Sequence, residues 1–336
     1  MRKLATVRII DEIKSIPDAD AIEVATVGGW NVVVKKGEYK TGDVVVYLEI
    51  DSWVPNEIAP FLSKGQEPRE YNGVKGERLK TIKLRGQLSQ GLILPVSTVV
   101  GVGISGVVGE DVTEFLNVQK WEPPIPAQLA GKIRGMFPDF IPRTDQERIQ
   151  NLTNEFQQWK NNPELTWEVS EKLDGSSMTV YVNGEDSGVC SRNLNLSEED
   201  SNTLWSVAIR ESLIEKIRST NKNYAFQGEL IGEGIQGNPY KIKGQDFYLF
   251  DVYDIDNRSY LLPQQRQELA KELSVKHVPV FENSTLENDV PSLLTKAESK
   301  SMLCSSAERE GLVYKCCQIN ASFKVISNKF LFKNNG

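Results

Sequence analysis

A single lysine stands where one predicted strand ends and a turn begins. Residues 167–181 read WEVSEKLDGSSMTVY, in which two runs of alternating apolar and polar residues flank Asp174-Gly175. The alternation predicts two half-buried strands, and the Asp-Gly pair predicts a β-hairpin turn between them. Lys172 precedes this turn by two residues. A lysine amine can act as a covalent nucleophile when desolvation or nearby positive charge lowers its pKa from about 10.4.

Further residues able to bind a charged substrate follow Lys172 in a fixed order. Taken singly, each has an ordinary interpretation, such as a surface turn for Lys-x-Asp-Gly or a strand-edge charge for Glu229. Together, in this order and spacing, they indicate one site. The members are Arg192 in CSRN, Glu229 in QGELIGEGIQG, Phe250 and Asp251 in FYLFDVY, Glu310 and Lys315 in EGLVYK, and Lys324 in SFKVISNKF.

Several other kinds of site are disfavoured. The only histidine, His277, has no acid or nucleophile motif around it, which disfavours a catalytic triad and a histidine-rich metal site. Cys190, Cys304, Cys316 and Cys317 lack C-x-x-C spacing, which disfavours a zinc site or a disulfide framework. The sequence has no G-x-x-x-x-G-K-S/T phosphate loop, so a nucleotide would have to be held differently.

The composition is that of a soluble globular protein long enough for two domains. The 336 residues are 39% hydrophobic and 25% charged, with a formal net charge of −7. No run approaches the roughly 20 apolar residues of a membrane span. Asp11 and Glu12 interrupt the start of the chain before a signal-peptide core could form. We therefore expect no membrane partner and a reducing intracellular compartment, either cytoplasm or nucleus.

The chain divides into three predicted segments. Residues 1–118 contain short β-rich runs separated by turn residues, which predicts a β-barrel or sandwich. Residues 119–143 are rich in proline, which predicts a linker or extended arm. Residues 144–336 predict an α+β domain, in which helices near 200–219 and 263–274 interrupt the strands.

A helix is predicted at the start of the third segment. Thr144 and Glu147 have the spacing of a capping box, in which their side chains satisfy free N–H groups at a helix start. Apolar residues follow at intervals of three and four, which is typical of one helix face. They are Ile149, Leu152, Phe156 and Trp159.

A basic stripe lies in the first segment between Lys64 and Arg85. Seven Lys or Arg residues stand there against three Glu, with Tyr71 among them. A solvated surface and a nucleic-acid-binding surface account for such a stripe equally well. The net negative charge of the whole chain does not decide between them, because a local stripe is able to attract phosphate by itself.

The ordered motifs resemble those of the covalent nucleotidyltransferases, which are the ATP-dependent nucleic-acid ligases and their mRNA-capping relatives. GELIGEGIQ, FYLFD and EGLVYK are most similar to RNA ligases that seal 3′-OH/5′-phosphate nicks, and the whole layout resembles the Deinococcus/Naegleria type. The resemblance covers nearly all of the chain. It implies an α+β fold class, with an N-terminal OB-like β-barrel that binds nucleic acid. A nucleotidyltransferase (adenylation) domain built on antiparallel sheets would follow.

The resemblance also implies a role for each site residue. Lys172 would be the catalytic nucleophile that takes AMP from ATP, because a lysine phosphoramidate passes AMP onward readily. Carboxylates suit Mg²⁺ or Mn²⁺, which would sit beside the α-phosphate. The metal ligands would be Glu229, Glu310 and Asp174. The nucleotide contacts would be Glu171, Arg192, Glu229, Phe250, Lys315, Lys324 and Arg148.

Individual nucleotide contacts follow from the same resemblance. Phe250 would stack on adenine, and Arg192 would contact ribose or phosphate. Lys324, with Lys315, would neutralise the α-phosphate through charge-assisted hydrogen bonds. The chain departs from the phage nick-sealing enzymes at Ile326, where they carry a second lysine. Lys329 or Arg148 would compensate; Arg148 would do so by reaching the triphosphate, or it would have a surface role.

These expectations describe an ATP-dependent RNA ligase that acts as a monomer on RNA with 3′-OH and 5′-phosphate ends. Lys80, Lys83 and Arg85 of the basic stripe would bind the RNA backbone. An ATP-dependent DNA ligase or a capping-type nucleotidyltransferase with the same lysine is an alternative. Capping enzymes place their OB domain after the catalytic domain, which counts against them. A non-catalytic nucleic-acid-binding protein is a further alternative.

Overall fold

Two compact units make up the protein. The computed structural model describes residues 3–99, 104–122, 132–199, 202–281 and 283–334. One unit comprises Met1–Pro124 together with Phe332–Gly336, and the other comprises Ile125–Leu331.

The predicted linker at 119–143 lies partly outside the described residues, which do not include its prolines Pro123, Pro124 and Pro126. Both of its described ends contain strands. Residues 119–120 pair with residues 52–53, and residues 133–136 pair with residues 194–196. These ends are therefore parts of sheets, because their backbone groups bond to neighbouring strands.

The first unit is built from short antiparallel strands in small sheets. Burial alternates along them, as at Trp30, Val32 and Val34, whose side chains point into one core. The strands are β1 (Ala5–Ile9), β2 (Glu12–Ser15), β3 (Ile22–Val27), β4 (Trp30–Lys35), β5 (Val44–Leu48), β6 (Ser52–Pro55), β7 (Arg69–Tyr71), β8 (Val74–Arg78), β9 (Ile82–Leu84), β10 (Gln87–Ser89), β11 (Leu92–Pro95) and β12 (Gln119–Lys120).

Two antiparallel sheets form the second unit. A seven-stranded sheet has the order β13-β17-β16-β15-β18-β19-β20, and a three-stranded sheet has the order β14-β21-β22. The strands are β13 (Ile133–Met136), β14 (Trp167–Lys172), β15 (Ser176–Asn183), β16 (Asp186–Cys190), β17 (Leu194–Leu196), β18 (Tyr224–Gly232), β19 (Gln245–Asp254), β20 (Ser259–Tyr260), β21 (Gly311–Cys316) and β22 (Ser322–Ile326).

Helices cover one face of each large sheet. The predictions near 200–219 and 263–274 are confirmed. No helix in the described ranges is long and apolar enough to cross a membrane. The α-helices are α1 (Thr153–Lys160), α2 (Thr203–Arg210), α3 (Leu213–Ser219), α4 (Pro263–Glu272), α5 (Val290–Ala297) and α6 (Asn328–Asn334), and short 3₁₀ helices lie at Pro60–Ser63, Val96–Thr98 and Ile149–Asn151.

Each sheet of the second unit has an apolar core on one face. In the seven-stranded sheet, Met178 and Val180 of β15 pack with Trp205 of α2. In the three-stranded sheet, Val169 of β14 and Leu312 of β21 share a core with α1 and α5. Because side chains alternate along a strand, the polar residues between these positions point to the opposite faces. Those faces carry the candidate site.

The hairpin prediction at Asp174-Gly175 is wrong. β14 pairs with β21, whereas β15 pairs with β16 and β18, so the turn passes from one sheet to the other. Gly175 is needed for space: a Cβ there would lie 2.4 Å from the carbonyl oxygen of Leu230. The sequence signal was local, and it was overridden by pairing with a strand far along the chain.

The helix predicted from Thr144 begins later than expected. The Thr144 hydroxyl lies 2.8 Å from that of Ser177, and the Glu147 carboxylate accepts hydrogen bonds from the Arg148 N–H and the Asn151 side chain. Neither side chain therefore forms the capping box. A 3₁₀ turn at Ile149–Asn151 follows, and α1 starts at Thr153.

Candidate active site

Lys172, Lys315 and Lys324 lie on one face of the three-stranded sheet, which we call the lysine face. Lys172 pairs with Gly311 of β21, and two residues further along β21 Val313 pairs with Lys324 of β22. Since alternate residues share a face, Gly311, Val313 and Lys315 point the same way as their direct partners. Strand register thus places Lys172 and Lys324 on a common surface.

Gly311 allows the strands to approach closely beside Lys172. A Cβ at this position would lie 2.2 Å from the carbonyl oxygen of Val325 on the neighbouring strand. Any larger residue would therefore have to push β21 and β22 apart. This explains the glycine in EGLVYK, directly after Glu310 and directly opposite the predicted nucleophile.

Three carboxyl groups surround the Lys172 amine. Its Nζ lies 2.7 Å from Oε2 of Glu310, and both side chains are partly shielded from solvent. Glu229 of β18 and Asp174 of the turn also act electrostatically on Lys172. The structure therefore brings together the predicted nucleophile and all three predicted metal ligands.

The excess of negative charge perturbs each of these groups. Burial opposes the charged form of Lys172, but Glu310, Glu229 and Asp174 outweigh it and raise the lysine pKa above its ordinary value. Burial, with the nearby Glu310, raises the pKa of Asp174 to about 6. Burial also raises the pKa of Glu229 to about 8. One lysine does not offset three carboxyl groups in this space.

A hard divalent cation fits this donor set chemically. In the described ranges no three His, Cys, Asp or Glu side chains stand at ligand spacing for a metal ion. The carboxyl groups instead converge on Lys172, and they supply only oxygen donors. Magnesium accepts one or two protein carboxylates and keeps several waters, so it does not need a complete protein cage.

Phe250 occupies a β-bulge beside this cluster. Gln227 of β18 pairs with Asp251, but its neighbour Gly228 pairs with Leu249, which leaves Phe250 as the extra residue of β19. Bulges re-aim side chains and occur next to active sites. The Phe250 ring packs against an apolar cluster that includes Leu173, the residue after the lysine. The structure therefore brings Phe250 close to Lys172.

Lys315 is buried and has protein partners, and its phosphate contact stays a prediction. Its ammonium lies 2.6 Å from Oδ1 of Asp251 and donates to the carbonyl oxygen of Phe250. Burial lowers the pKa of Lys315 to about 8. The side chain thus holds the bulge that carries Phe250.

A fully buried arginine that the sequence analysis missed extends this network. Arg266 of α4 donates to Glu168 of β14 and, at 3.0 Å, to Nε2 of His277. Its second terminal nitrogen lies 3.7 Å from Asp251. Arg266 shares a helix face with Ala270, four residues later, so a charge on an apolar helix face was the available signal.

Glu171 points away from the lysine face, and its nucleotide contact stays a prediction. It neighbours Lys172 in the strand, and its Oε2 accepts a hydrogen bond from the Met302 N–H at 2.7 Å. Burial raises the pKa of this carboxyl group. Its position supports a role in holding the loop around Met302.

The remaining predicted nucleotide contacts lie in two places. Arg148 forms a parallel bridge with Lys324, so the two residues are neighbours on adjacent backbones. Arg192 pairs instead with Asp145, at 2.7 Å, and its side chain is about half exposed.

Three of the seven basic residues of the stripe form ion pairs. Arg69 pairs with Glu77, Lys75 with Glu67, and Arg78 with Asp51. Exposed pairs of this kind reduce the local positive potential available to a nucleic acid.

The predicted RNA-binding residues lie on or beside the β9–β10 hairpin. Lys80 and Arg85 are exposed. The Lys83 ammonium lies 3.6 Å from the ring centre of Phe332 and 3.4 Å from its carbonyl oxygen. Lys80 and Arg85 are therefore better placed than Lys83 to meet an RNA backbone.

Comparisons with known proteins agree with this geometry. A family model described as RNA ligase matches residues 165–326, and an OB-fold domain model matches residues 4–96. The predicted α+β fold class, with an N-terminal OB-type domain and a C-terminal ligase domain, is confirmed. No curated protein sequence matches the chain.

Solved structures of Naegleria gruberi RNA ligase are similar over nearly the whole chain. A mutant with AMP and Mn is 48% identical, covers 99% of each chain and has a TM-score of 0.86. A mutant with ATP and Mn is also 48% identical over 99% of each chain, with a TM-score of 0.85. The enzyme with PPi is 49% identical over 99% of each chain, with a TM-score of 0.84. This chain therefore belongs to the RNA ligase family.

Proposed function

We propose that this RNA ligase joins RNA 3′-OH and 5′-phosphate ends in three steps. The Lys172 amine attacks the α-phosphorus of ATP, a nitrogen–phosphorus bond forms, and pyrophosphate leaves. An oxygen of the RNA 5′-phosphate then attacks the same phosphorus and releases Lys172, which yields RNA-adenylate. Finally the 3′-OH attacks the 5′-phosphorus, the phosphodiester forms and AMP leaves. The observation that carries this proposal is the Lys172 amine facing three converging carboxyl groups.

The residues around Lys172 support the first step. The ammonium must lose a proton before it is nucleophilic, and Oε2 of Glu310 accepts its hydrogen bond at 2.7 Å. Glu310, Glu229 and Asp174 would hold Mg²⁺ or Mn²⁺. When bound, the cation would offset the carboxylate charge that keeps Lys172 protonated and would stabilise charge on the α-phosphate.

Other residues are proposed to hold the nucleotide. Phe250 offers a partly buried ring beside Leu173, which supports stacking on adenine. Lys324 shares the lysine face with Lys172, and Arg148 lies beside it, which supports phosphate contacts from both. Arg192 would contact ribose or phosphate.

Incubation with α-labelled ATP and Mg²⁺ or Mn²⁺ tests the first step. The wild-type protein should retain label through denaturation, because the phosphoramidate is covalent. Lys172→Ala should retain none while unfolding at a similar urea concentration, and Lys315→Met should still label. Absence of label on the wild-type protein with either metal would refute the mechanism.

A pair of nicked duplexes tests the substrate. We propose that a nick with an RNA 3′-OH strand is sealed faster than an all-DNA nick of the same sequence. Equal sealing of both nicks would favour the DNA ligase alternative instead.

The β9–β10 hairpin is proposed to contact the RNA backbone through Lys80 and Arg85, with Lys83 beside them. Phosphate contacts weaken steeply with salt, so Lys80→Ala/Arg85→Ala should bind RNA more weakly and with a shallower salt dependence. Lys75→Ala, whose partner is Glu67, is the matched control and should change the slope less. An unchanged slope in the double variant would remove this assignment.

Two further expectations stay proposals. We propose that the enzyme acts as a monomer, which sedimentation at working concentration would test. A reducing intracellular compartment is proposed from the cysteine spacing.

A further inference from the structure

The turn that carries Lys172 depends on side chains for its backbone hydrogen bonds. Because Asp174 and Gly175 cross between two sheets, no hairpin partner satisfies their N–H groups. The Asp174 N–H donates to the Tyr240 hydroxyl oxygen at 2.6 Å. The Gly175 N–H donates to the Glu229 carboxyl group, whose pKa it helps to lower against the effect of burial. Two side chains therefore hold the backbone of the turn.

Tyr240 belongs to residues 233–244, which join β18 to β19 and which we call the brace loop. This loop is closed at its base by a hydrogen bond from the Glu233 N–H to the Gly244 carbonyl, at 2.7 Å. Near its tip, the Asn238 side chain bonds both the N–H and the carbonyl of Ile242, at 3.1 and 2.9 Å. The loop is thus an internally bonded element able to hold a side chain in place.

The Tyr240 ring is fixed from the other side. It is 5% exposed and packs in an apolar cluster with Leu173, Ile231 and Val278. Leu173 lies between Lys172 and Asp174. The Tyr240 ring therefore packs in a cluster with one residue of the turn, and the Tyr240 hydroxyl accepts a hydrogen bond from the next. The buried ring and the hydrogen bond that its hydroxyl accepts from the Asp174 amide thus fix the turn together.

We propose that Tyr240 is a positioning residue for lysine adenylation: its hydroxyl fixes the Asp174 amide and so aims the Lys172 amine at the α-phosphorus. This inference rests on the proposed function of Lys172. Tyr240 touches neither the reacting amine nor a phosphate in this arrangement. Its effect passes through the backbone of two residues, and a small misplacement of a nucleophile is enough to slow a reaction strongly.

Tyr240→Phe separates this role from packing, because it keeps the ring in the apolar cluster and removes only the hydroxyl. Tyr224→Phe removes a hydroxyl from the far end of β18 and serves as the matched control. Three quantities are measured on the full chain: the single-turnover rate of label transfer to protein at saturating ATP, the ATP concentration for half the maximal rate, and the urea midpoint.

We expect Tyr240→Phe to slow label transfer about tenfold, which is equivalent to about 1.4 kcal/mol of activation free energy. The ATP concentration that gives half the maximal rate should stay unchanged within about twofold. Sealing of a pre-adenylated RNA strand should fall less than threefold, because Lys172 forms no bond in that reaction. A rate equal to that of Tyr224→Phe, or an equal loss in both reactions, would overturn the inference. Failure of the wild-type protein to label would instead refute the proposed function, so the two failures are distinguishable.

Discussion

The two ends of the lysine face carry similar ion pairs with different surroundings. Lys172 lies 2.7 Å from Glu310, and Lys315 lies 2.6 Å from Asp251. The Lys172 side chain is 26% exposed, whereas that of Lys315 is 7% exposed. The two lysine–carboxylate distances are nearly equal. The two lysines nevertheless differ in their access to a substrate, because Lys172 is more exposed than Lys315.

The two ends of the lysine face also differ in their balance of charge. Around Lys172, Glu310, Glu229 and Asp174 raise the lysine pKa against the opposing effect of burial. Around Lys315, burial and the second cation Arg266 lower the lysine pKa to about 8, against the opposing effect of Asp251. The Lys172 end has an excess of negative charge, and the Lys315 end has cations of its own.

Because of this difference, we expect the two ends of the lysine face to have different roles. A site that must bind a cation and phosphates keeps its own charges unbalanced, because the ligands complete the balance. A structural network is balanced within the protein, because an unpaired buried charge is costly. Changes at the Lys315 end should therefore alter stability first, whereas changes at the Lys172 end should alter chemistry first.

The largest effect on stability is expected at Arg266. Arg266→Met removes the charged hydrogen-bond donor of Glu168, which is fully buried, and leaves the neutral Gln267 side chain as a donor. Removing one member of a buried pair costs about 3–5 kcal/mol, so urea unfolding should shift strongly to lower concentration. Label transfer by the folded fraction should persist, because Arg266 is remote from Lys172 along the lysine face.

A double variant provides the control for Arg266. Arg266→Met/Glu168→Gln removes both charges and should be more stable than Arg266→Met alone. If the double variant loses the sum of the two single losses, the two residues act independently and the network interpretation fails.

A smaller effect is expected at Lys315. Lys315→Met leaves the carbonyl of Phe250 and the carboxylate of Asp251 short of a buried donor, which costs about 1–3 kcal/mol. Because the Phe250 bulge loses its support, the ATP concentration that gives half the maximal rate should rise. This rise should be larger, as a fold-change, than the fall in the maximal rate of label transfer. Denaturation midpoints and ATP titrations measure the two effects.

Lys324→Met is the matched change at the reactive end. It should slow label transfer with little loss of stability, since Lys324 is only partly buried. If Lys315→Met keeps full stability and slows label transfer as much as Lys324→Met does, Lys315 contacts phosphate. The contrast between the two ends would then be lost.

The sequence was sufficient to predict the family and the grouping of Lys172, Glu229 and Glu310, but it did not predict the network around Lys315. Lys172, Glu229 and Glu310 were recognisable because their motifs occur in a set order. The burial of Lys315 was not predictable, because it depends on Asp251 and on Arg266 from a helix without any motif. The hairpin error at Asp174-Gly175 has a similar cause, since the partner strand of β14 lies more than a hundred residues away.

The smallest expected effect is a change in the pH dependence of stability at His277. Its Nε2 accepts from Arg266, and its Nδ1 faces the carbonyl oxygen of Val278 at 2.7 Å, which requires the neutral ring. Burial and the charges of Arg266 and Lys315 lower the pKa of His277 to about 4, against the opposing effects of Val278 and Glu168. Between about pH 6.5 and pH 4 the unfolded chain therefore binds a proton that the folded chain does not.

Stability should consequently fall as the pH is lowered through this window, by at most about 1.4 kcal/mol per pH unit from this group. His277→Gln keeps an acceptor for Arg266 and cannot titrate. Its free energy of unfolding, measured by urea titration, should depend less steeply on pH than that of the wild-type protein. Parallel profiles would mean that His277 takes up its proton equally in both states, and the balanced network would then have to tolerate a third cation beside Arg266 and Lys315.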